Sequence, residues 1–157
     1  MRSPCGFDEL QALPAFGEGQ AGRLLDCLAL LLYSGQVLAL VGPDNVDVRP
    51  AQRFNRMVVE RARAGRLYGY LASPVARTGV PVDQYGLLAL AAVFDGKAAD
   101  PIAAARHALS ILAGSGRRPL RDNRPIDDEG EAIAYLAERM TPLLQEQMPV
   151  WRRLGVL

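Results

Sequence analysis

The chain has 157 residues, half of them hydrophobic, which is enough for one globular domain with a sizeable core. Its 18 basic and 17 acidic residues leave a net charge of +1, which excludes a strong overall field for nucleic acid or an anionic membrane. No uninterrupted apolar run, that of residues 27–33 included, is long enough to cross a bilayer, and no secretory signal is recognisable, so we expect a cytoplasmic protein.

The first strong helical signal covers residues 20–33. Leucines recur there at the spacing of one helical face, and the other side of the same helix is also apolar. A helix that is apolar nearly all round belongs inside a bundle, so we predict that this is the core helix, with Leu28 at its centre. Gly35 ends it, and residues 37–41 are predicted to form a short buried strand.

A second helix is predicted for residues 50–64, because Pro50 suits its first turn and Gly65 follows its last. Its spacing predicts a buried stripe opposite an exposed basic face; the stripe consists of Ala51, Phe54, Met57, Val58 and Ala62. Residues 67–72 favour a strand, and the following turn signal at Thr78 and Gly79 predicts a β-hairpin or wing.

Two further helices have clear capping signals. Asp83 can cap an apolar helix that Asp95 and Gly96 end, and this helix too is predicted to be buried. Asp100 followed by Pro101 begins another helix, which runs to Gly114.

The last part of the chain begins with a polar loop, residues 114–128, that is predicted to hold a small hairpin around Asp122 and Asn123. A C-terminal helix follows, and Pro142 is expected either to kink it or to begin a fresh helix. Trp151 and Leu154 are predicted to pack against the core.

These elements predict a mainly α fold of the α+β class, with about six helices, a short β-hairpin and a winged-helix-like order. We expect a single domain over residues 1–157. Within it, residues 1–47 would form N-terminal helices and a short strand, and residues 48–157 a winged-helix-like C-terminal region.

The chain offers little for catalysis. Residues 17–22 match G-x-G-x-x-G, but no strand precedes them and no acidic residue follows at the required distance, so a flexible loop is the better interpretation. His107 is the one histidine, and a structural or surface role is expected for it. Cys5 and Cys27 are expected to be free thiols, with Cys27 buried. We therefore expect no catalytic residues, no metal and no cofactor, S-adenosylmethionine included.

Two basic groups are the candidate partner-binding residues. One lies on the exposed face of the helix at residues 50–64 and just beyond it, and the other lies in the polar loop. The two groups comprise Arg53, Arg56, Arg63 and Arg66, and Arg118 and Arg121 with their neighbours Arg117 and Arg124. Ordinary solvated surface is one interpretation; docking to an acidic protein surface or to a phosphate backbone is the functional one.

From about Val48 onward the chain resembles the C-terminal domain of bacterial S-adenosylmethionine-dependent methyltransferases that carry a methyltransferase regulatory region, a group that includes protein lysine methyltransferases. The residues that carry the resemblance are Arg49-Pro50 with Phe54 and Asn55, residues 70–75, residues 79–82, Pro149-Val150, and residues 154–156. In such enzymes an N-terminal Rossmann-like domain does the catalysis, and the C-terminal region is a winged-helix-like domain for substrate recognition or regulation. The six helices leave no room for that catalytic domain here.

The resemblance implies a non-catalytic accessory domain whose partner is the methyltransferase catalytic domain or its protein substrate. The alternative is a winged-helix DNA-binding module, with the helix at residues 50–64 in a major groove and residues 67–80 as the wing. An unrelated interaction module, or an enzyme whose site is not evident, remains open beside these two.

Overall fold

The computed structural model of the chain describes residues 5–16, 19–40 and 46–157. Contacts between residues divide the chain into two compact units, with the boundary between residues 44 and 45. No helix of the described residues is both long enough and apolar enough to cross a membrane.

The first unit contains helix α1, Phe7–Gln11, a 3-10 turn, Pro14–Phe16, and helix α2, Ala21–Tyr33. In α2 only Leu24 is buried, whereas Leu28 is half-buried and Leu30 is 70% exposed. The prediction that α2 is the core helix is therefore wrong. Within its unit, α2 packs against α1 and the 3-10 turn, and most of its large apolar side chains stay exposed.

Two smaller expectations in this unit also need correction. Residues 37–40 form no strand, and Val41, the last residue of the predicted strand, lies outside the described residues. Cys27 is half-buried rather than buried, and both Cys5 and Cys27 are free. Of the glycine-rich motif, residues 17 and 18 are outside the described part of the chain, and Gly19 has a φ of +85°.

The second unit begins with helix α3, Arg49–Arg63, and an antiparallel hairpin of β1, Tyr70–Ser73, and β2, Thr78–Pro81. Helices α4, Gln84–Phe94, and α5, Pro101–Gly114, follow, then a second hairpin of β3, Leu120–Arg121, and β4, Arg124–Pro125. Helix α6, Glu129–Pro142, continues through a π-helical segment, Leu143–Gln147, into α7, Met148–Arg153. The mainly helical, winged-helix-like α+β fold is confirmed.

Helix α4 is the centre of the core. Every residue from Gly86 to Ala92 is buried, and helices α3, α5 and α6 pack around α4. The Asp83 carboxylate accepts a hydrogen bond of 2.7 Å from the Gly86 backbone N–H, which confirms the predicted cap. The burial predicted for α4 is thus confirmed. Trp151 and Leu154 are also buried as predicted.

The predicted cap of α5 and the predicted turn of the second hairpin are also confirmed. Asp100 caps α5 through the Ala103 backbone N–H. Asp122 and Asn123 form the two-residue turn of the second hairpin with φ values of +51° and +62°, as a type I′ turn requires. At Pro142 no fresh helix is capped, as one of the two expected outcomes required; α6 instead runs directly into the π-helical segment.

The phase of α3 differs from the predicted one. Its buried residues are Asn55, Val58, Val59 and Ala62. Phe54 and Met57, which were assigned to the buried stripe, are instead exposed. The helix has apolar residues on two sides, and contact with α4 and β1 selects the side that contains Asn55.

Candidate functional site

The first basic group is only partly available for a partner. Arg53, Arg56 and Arg66 are exposed, but the Arg56 guanidinium lies 4.6 Å from the centre of the Phe94 ring. Arg63 is half-buried, and its guanidinium donates two hydrogen bonds to the Asp95 carboxylate, at 2.7 and 2.8 Å. The expectation that Arg63 lies exposed is therefore wrong.

Asp95 connects three helices of the second unit. Besides Arg63 of α3, the Asp95 carboxylate contacts His107 Nε2 of α5 at 2.7 Å, while Asp95 itself directly follows α4. The hydrogen bond from Arg63 lowers the pKa of Asp95, with His107 contributing in the same direction. His107 thus has the structural role expected for it.

The second basic group lies among carboxylates. Arg118 forms an ion pair with Asp127, and Arg121 pairs with Glu131 at 2.7 Å. The Arg121 guanidinium also lies 4.9 Å from the centre of the Tyr135 ring. Residues 117–131 contain four arginines against five carboxylates, so this part of the surface has no excess of positive charge that would attract a phosphate backbone.

A depression of about 660 Å³ lies between α5 and the start of α6. Side chains of both charges line it, among them Arg106, Arg118, Asp127 and Glu129. Among the residues that the structure describes, no group of three histidine, cysteine or carboxylate side chains could hold a metal ion. We find no nucleophile and base arranged for catalysis in this depression.

A different surface stands out on α3 and the first hairpin. Large apolar side chains are exposed there although the core of the unit is well formed; they are Phe54, Met57, Leu67, Tyr68 and Tyr70. Single exposed apolar residues are common, but a group of this size often marks a binding site. This surface was not predicted, because the helical pattern assigned Phe54 and Met57 to the core.

A groove of about 500 Å³ runs between α3 and the hairpin, lined by Phe54 on one side and by Tyr68, Tyr70 and Arg77 among others. The groove exists because the residues between these side chains are small. Ala72 and Gly79 are paired across the two strands and contribute to its lining. The Tyr70 ring packs against Gly79, where an added Cβ would lie only 3.3 Å from Tyr70 Cδ1.

Neither strand of the hairpin has a fully free edge. On β1 both backbone groups of Ala72 are already hydrogen-bonded to the Asn55 side chain, which accepts from the Ala72 N–H at 2.7 Å and donates to the Ala72 carbonyl at 2.9 Å. On β2 Pro81 has no N–H to donate. A partner at this groove would therefore be recognised through side chains rather than by adding a strand to the sheet.

Arginines are concentrated in the stretch of sequence that forms this groove, although Arg49 and Arg63 are paired with Asp47 and Asp95. Residues 49–77 contain seven arginines and a single carboxylate, Glu60, and thus carry +6, while the rest of the chain carries −5. The net charge of +1 conceals this separation. Among the described residues, Arg53 and Arg77 form no ion pair; Arg77 lines the groove, and Arg53 is the neighbour of the lining residue Phe54 along α3.

Several residues that carry the family resemblance meet at one point behind the groove. Asn55 is fully buried and donates a second hydrogen bond to the Val156 carbonyl at 3.0 Å. Ser73 Oγ donates to the Leu154 carbonyl at 2.8 Å. Gly155 has a φ of +68°, and a Cβ there would lie 2.8 Å from Val48 Cγ1. These residues join α3, β1 and the C-terminal segment, so their role is structural.

Comparison with protein-family models, with curated proteins and with solved structures gives no match for this chain.

Proposed function

We propose that the chain is a non-catalytic accessory module that binds an acidic protein partner through α3 and the first hairpin. The observation that carries this proposal is the exposed apolar groove within the segment of charge +6. The partner is the catalytic domain of an S-adenosylmethionine-dependent methyltransferase or its protein substrate. This methyltransferase context is supported by the resemblance of residues 48–157 to the C-terminal regulatory region of such enzymes.

The composition of the surface favours a protein partner. Protein interfaces are enriched in aromatic residues, methionine and arginine and are depleted in lysine and carboxylates. Residues 49–77 fit this description, since they contain no lysine, one carboxylate and seven arginines, with Phe54, Met57, Tyr68 and Tyr70 exposed. Such residues form the anchors at which binding energy is concentrated.

The DNA-binding alternative requires α3 to read base edges in a major groove. Such reading depends on side chains that donate and accept hydrogen bonds, with apolar contact limited largely to thymine methyl groups. The exposed part of α3 includes Phe54 and Met57, and Arg63 is engaged with Asp95. In the second basic group, Arg118 and Arg121 are paired with Asp127 and Glu131. Both features favour a protein over duplex DNA.

The proposal predicts charge-dependent binding of an acidic peptide. The probe is a fluorescein-labelled synthetic peptide in which glutamates alternate with leucine and phenylalanine, measured by fluorescence anisotropy at two salt concentrations. The variant Arg53→Gln/Arg77→Gln should bind this peptide about fivefold more weakly, because two exposed ion pairs contribute roughly 1 kcal/mol together. Higher salt should reduce the difference between variant and wild type.

The matched control is Arg152→Gln/Arg153→Gln, which removes the same charge from exposed positions at the end of α7. This control should bind the acidic peptide nearly as well as the wild type. A peptide with lysines in place of the glutamates should bind poorly. Equal loss in both arginine variants, or tighter binding of duplex DNA than of the acidic peptide, would contradict the proposal.

A further inference from the structure

We infer that the groove between α3 and the first hairpin takes one large apolar side chain of an acidic peptide segment, whose carboxylates flank that side chain and pair with Arg77 and Arg53. The inference rests on the proposed function and adds to it the chemistry of the bound segment. Its occupant is a protein segment with an apolar anchor, not a nucleotide and not a second copy of the groove.

The lining of the groove favours an apolar occupant. Phe54, Tyr68 and Tyr70 present aromatic carbon on its sides, and Ala72 and Gly79 contribute little more than backbone and one methyl group. Burying an apolar side chain against such a lining removes carbon surface from water on both partners, which is the main favourable term in association. A volume of about 500 Å³ lies within the range of sites that bind small ligands.

The lining is also held in place by contacts that do not need a partner. The Tyr70 ring lies against Gly79. The backbone of Ala72 is fixed by two hydrogen bonds to the buried Asn55, and Ser73 is tied to the Leu154 carbonyl. A groove that is already formed reduces the entropy lost on binding, so a single anchor residue can be recognised.

The positive charge near the groove favours carboxylates on either side of the anchor residue in the bound peptide. Arg77 lines the groove, and Arg53 precedes Phe54 on α3. Both are exposed, and within the described parts of the chain neither forms an ion pair, although Asp47 lies near enough to Arg53 for Arg53 to lower the pKa of Asp47. Carboxylates beside the anchor residue would form ion pairs with the two guanidinium groups, whereas lysines at the same positions would be repelled.

The variant Ala72→Leu tests this inference, because a leucine at this position would occupy the groove and leave the charge and the backbone bonds to Asn55 in place. We expect the affinity for a glutamate-rich peptide with one central phenylalanine to fall at least about tenfold, a loss typical of removing an anchor residue from an interface. Replacing that phenylalanine by alanine in the peptide should weaken binding to the wild type and change little for Ala72→Leu.

The control Ala134→Leu adds the same side chain at an exposed position of α6 and should leave binding unchanged. Thermal melting followed by circular dichroism verifies that each variant is folded. Should Ala72→Leu not fold, Tyr70→Ala removes an exposed wall of the groove and should weaken binding of the phenylalanine peptide more than that of the alanine peptide.

The outcomes separate this inference from the proposed function. If Ala72→Leu and Tyr70→Ala bind the peptide as tightly as the wild type while Arg53→Gln/Arg77→Gln binds it more weakly, the anchor site is disproved and the acidic-partner proposal stands. If the wild type binds no acidic peptide, the proposed function fails. If single-stranded oligothymidylate binds more tightly than the peptide and loses affinity on Ala72→Leu, the groove takes bases and the inference is overturned.

Discussion

Asn55→Leu is expected to lower the free energy of unfolding by about 3 kcal/mol or more. The substitution leaves three backbone groups without a partner, namely the N–H and carbonyl of Ala72 and the carbonyl of Val156. Each unsatisfied buried polar group costs roughly 1 to 3 kcal/mol, and leucine can bond to none of them. Denaturation in urea, followed by circular dichroism, measures the change.

A control for Asn55→Leu is Gln145→Leu, which introduces leucine at an exposed position in the π-helical segment and should change stability by no more than about 0.5 kcal/mol. Asn55→Asp keeps the shape and the acceptor but places oxygen against two carbonyls, so it should be destabilised as well. An Asn55→Leu protein as stable as the wild type would show that the amide does not join α3, β1 and the C-terminal segment.

Leu90→Ala is expected to destabilise the second unit by about 2 to 5 kcal/mol, because Leu90 is fully buried in α4 and its truncation leaves a cavity. Leu28→Ala, the same substitution on α2, should leave the unfolding transition of the second unit nearly unchanged, because Leu28 is half-buried and belongs to the first unit. Thermal melts of both variants test this contrast. An equal loss of stability in both variants would show that α2 is part of the core.

Local features of this fold could be predicted because a few neighbouring residues determine them. Asp83 and Asp100 accept hydrogen bonds from the first turns of their helices, and Gly96 follows α4 with a φ of +65°. The turn at Asp122 and Asn123 is likewise set by two residues that tolerate a positive φ. None of these features depends on distant parts of the chain.

The choice between two apolar helices could not be made in the same way. Helices α2 and α4 are both rich in leucine and alanine, yet α4 is buried among α3, α5 and α6, whereas a single residue of α2 is buried. An apolar composition shows that a helix can be buried, whereas burial depends on which elements reach it. The phase of α3 was missed for a related reason, since the buried polar Asn55 finds its partners 17 and 101 residues away.

The candidate site depended on contacts between distant residues as well. Arg63 looked available because its partner Asp95 lies 32 residues further along the chain. The groove itself depends on the pairing of Ala72 with Gly79 and on the exposure of Phe54, which the sequence pattern assigned to the core. The concentration of arginines in residues 49–77 was the one signal of this surface that the sequence contained.

The most direct test of the binding surface is a two-dimensional NMR titration of the ¹⁵N-labelled chain with the acidic peptide that carries a central phenylalanine. We expect the largest changes in backbone chemical shift at Phe54, Tyr70 and Gly79 and their neighbours, with little change in the second hairpin at Arg121 and Asn123. Changes concentrated in the second hairpin, or no changes at peptide concentrations in large excess, would contradict it.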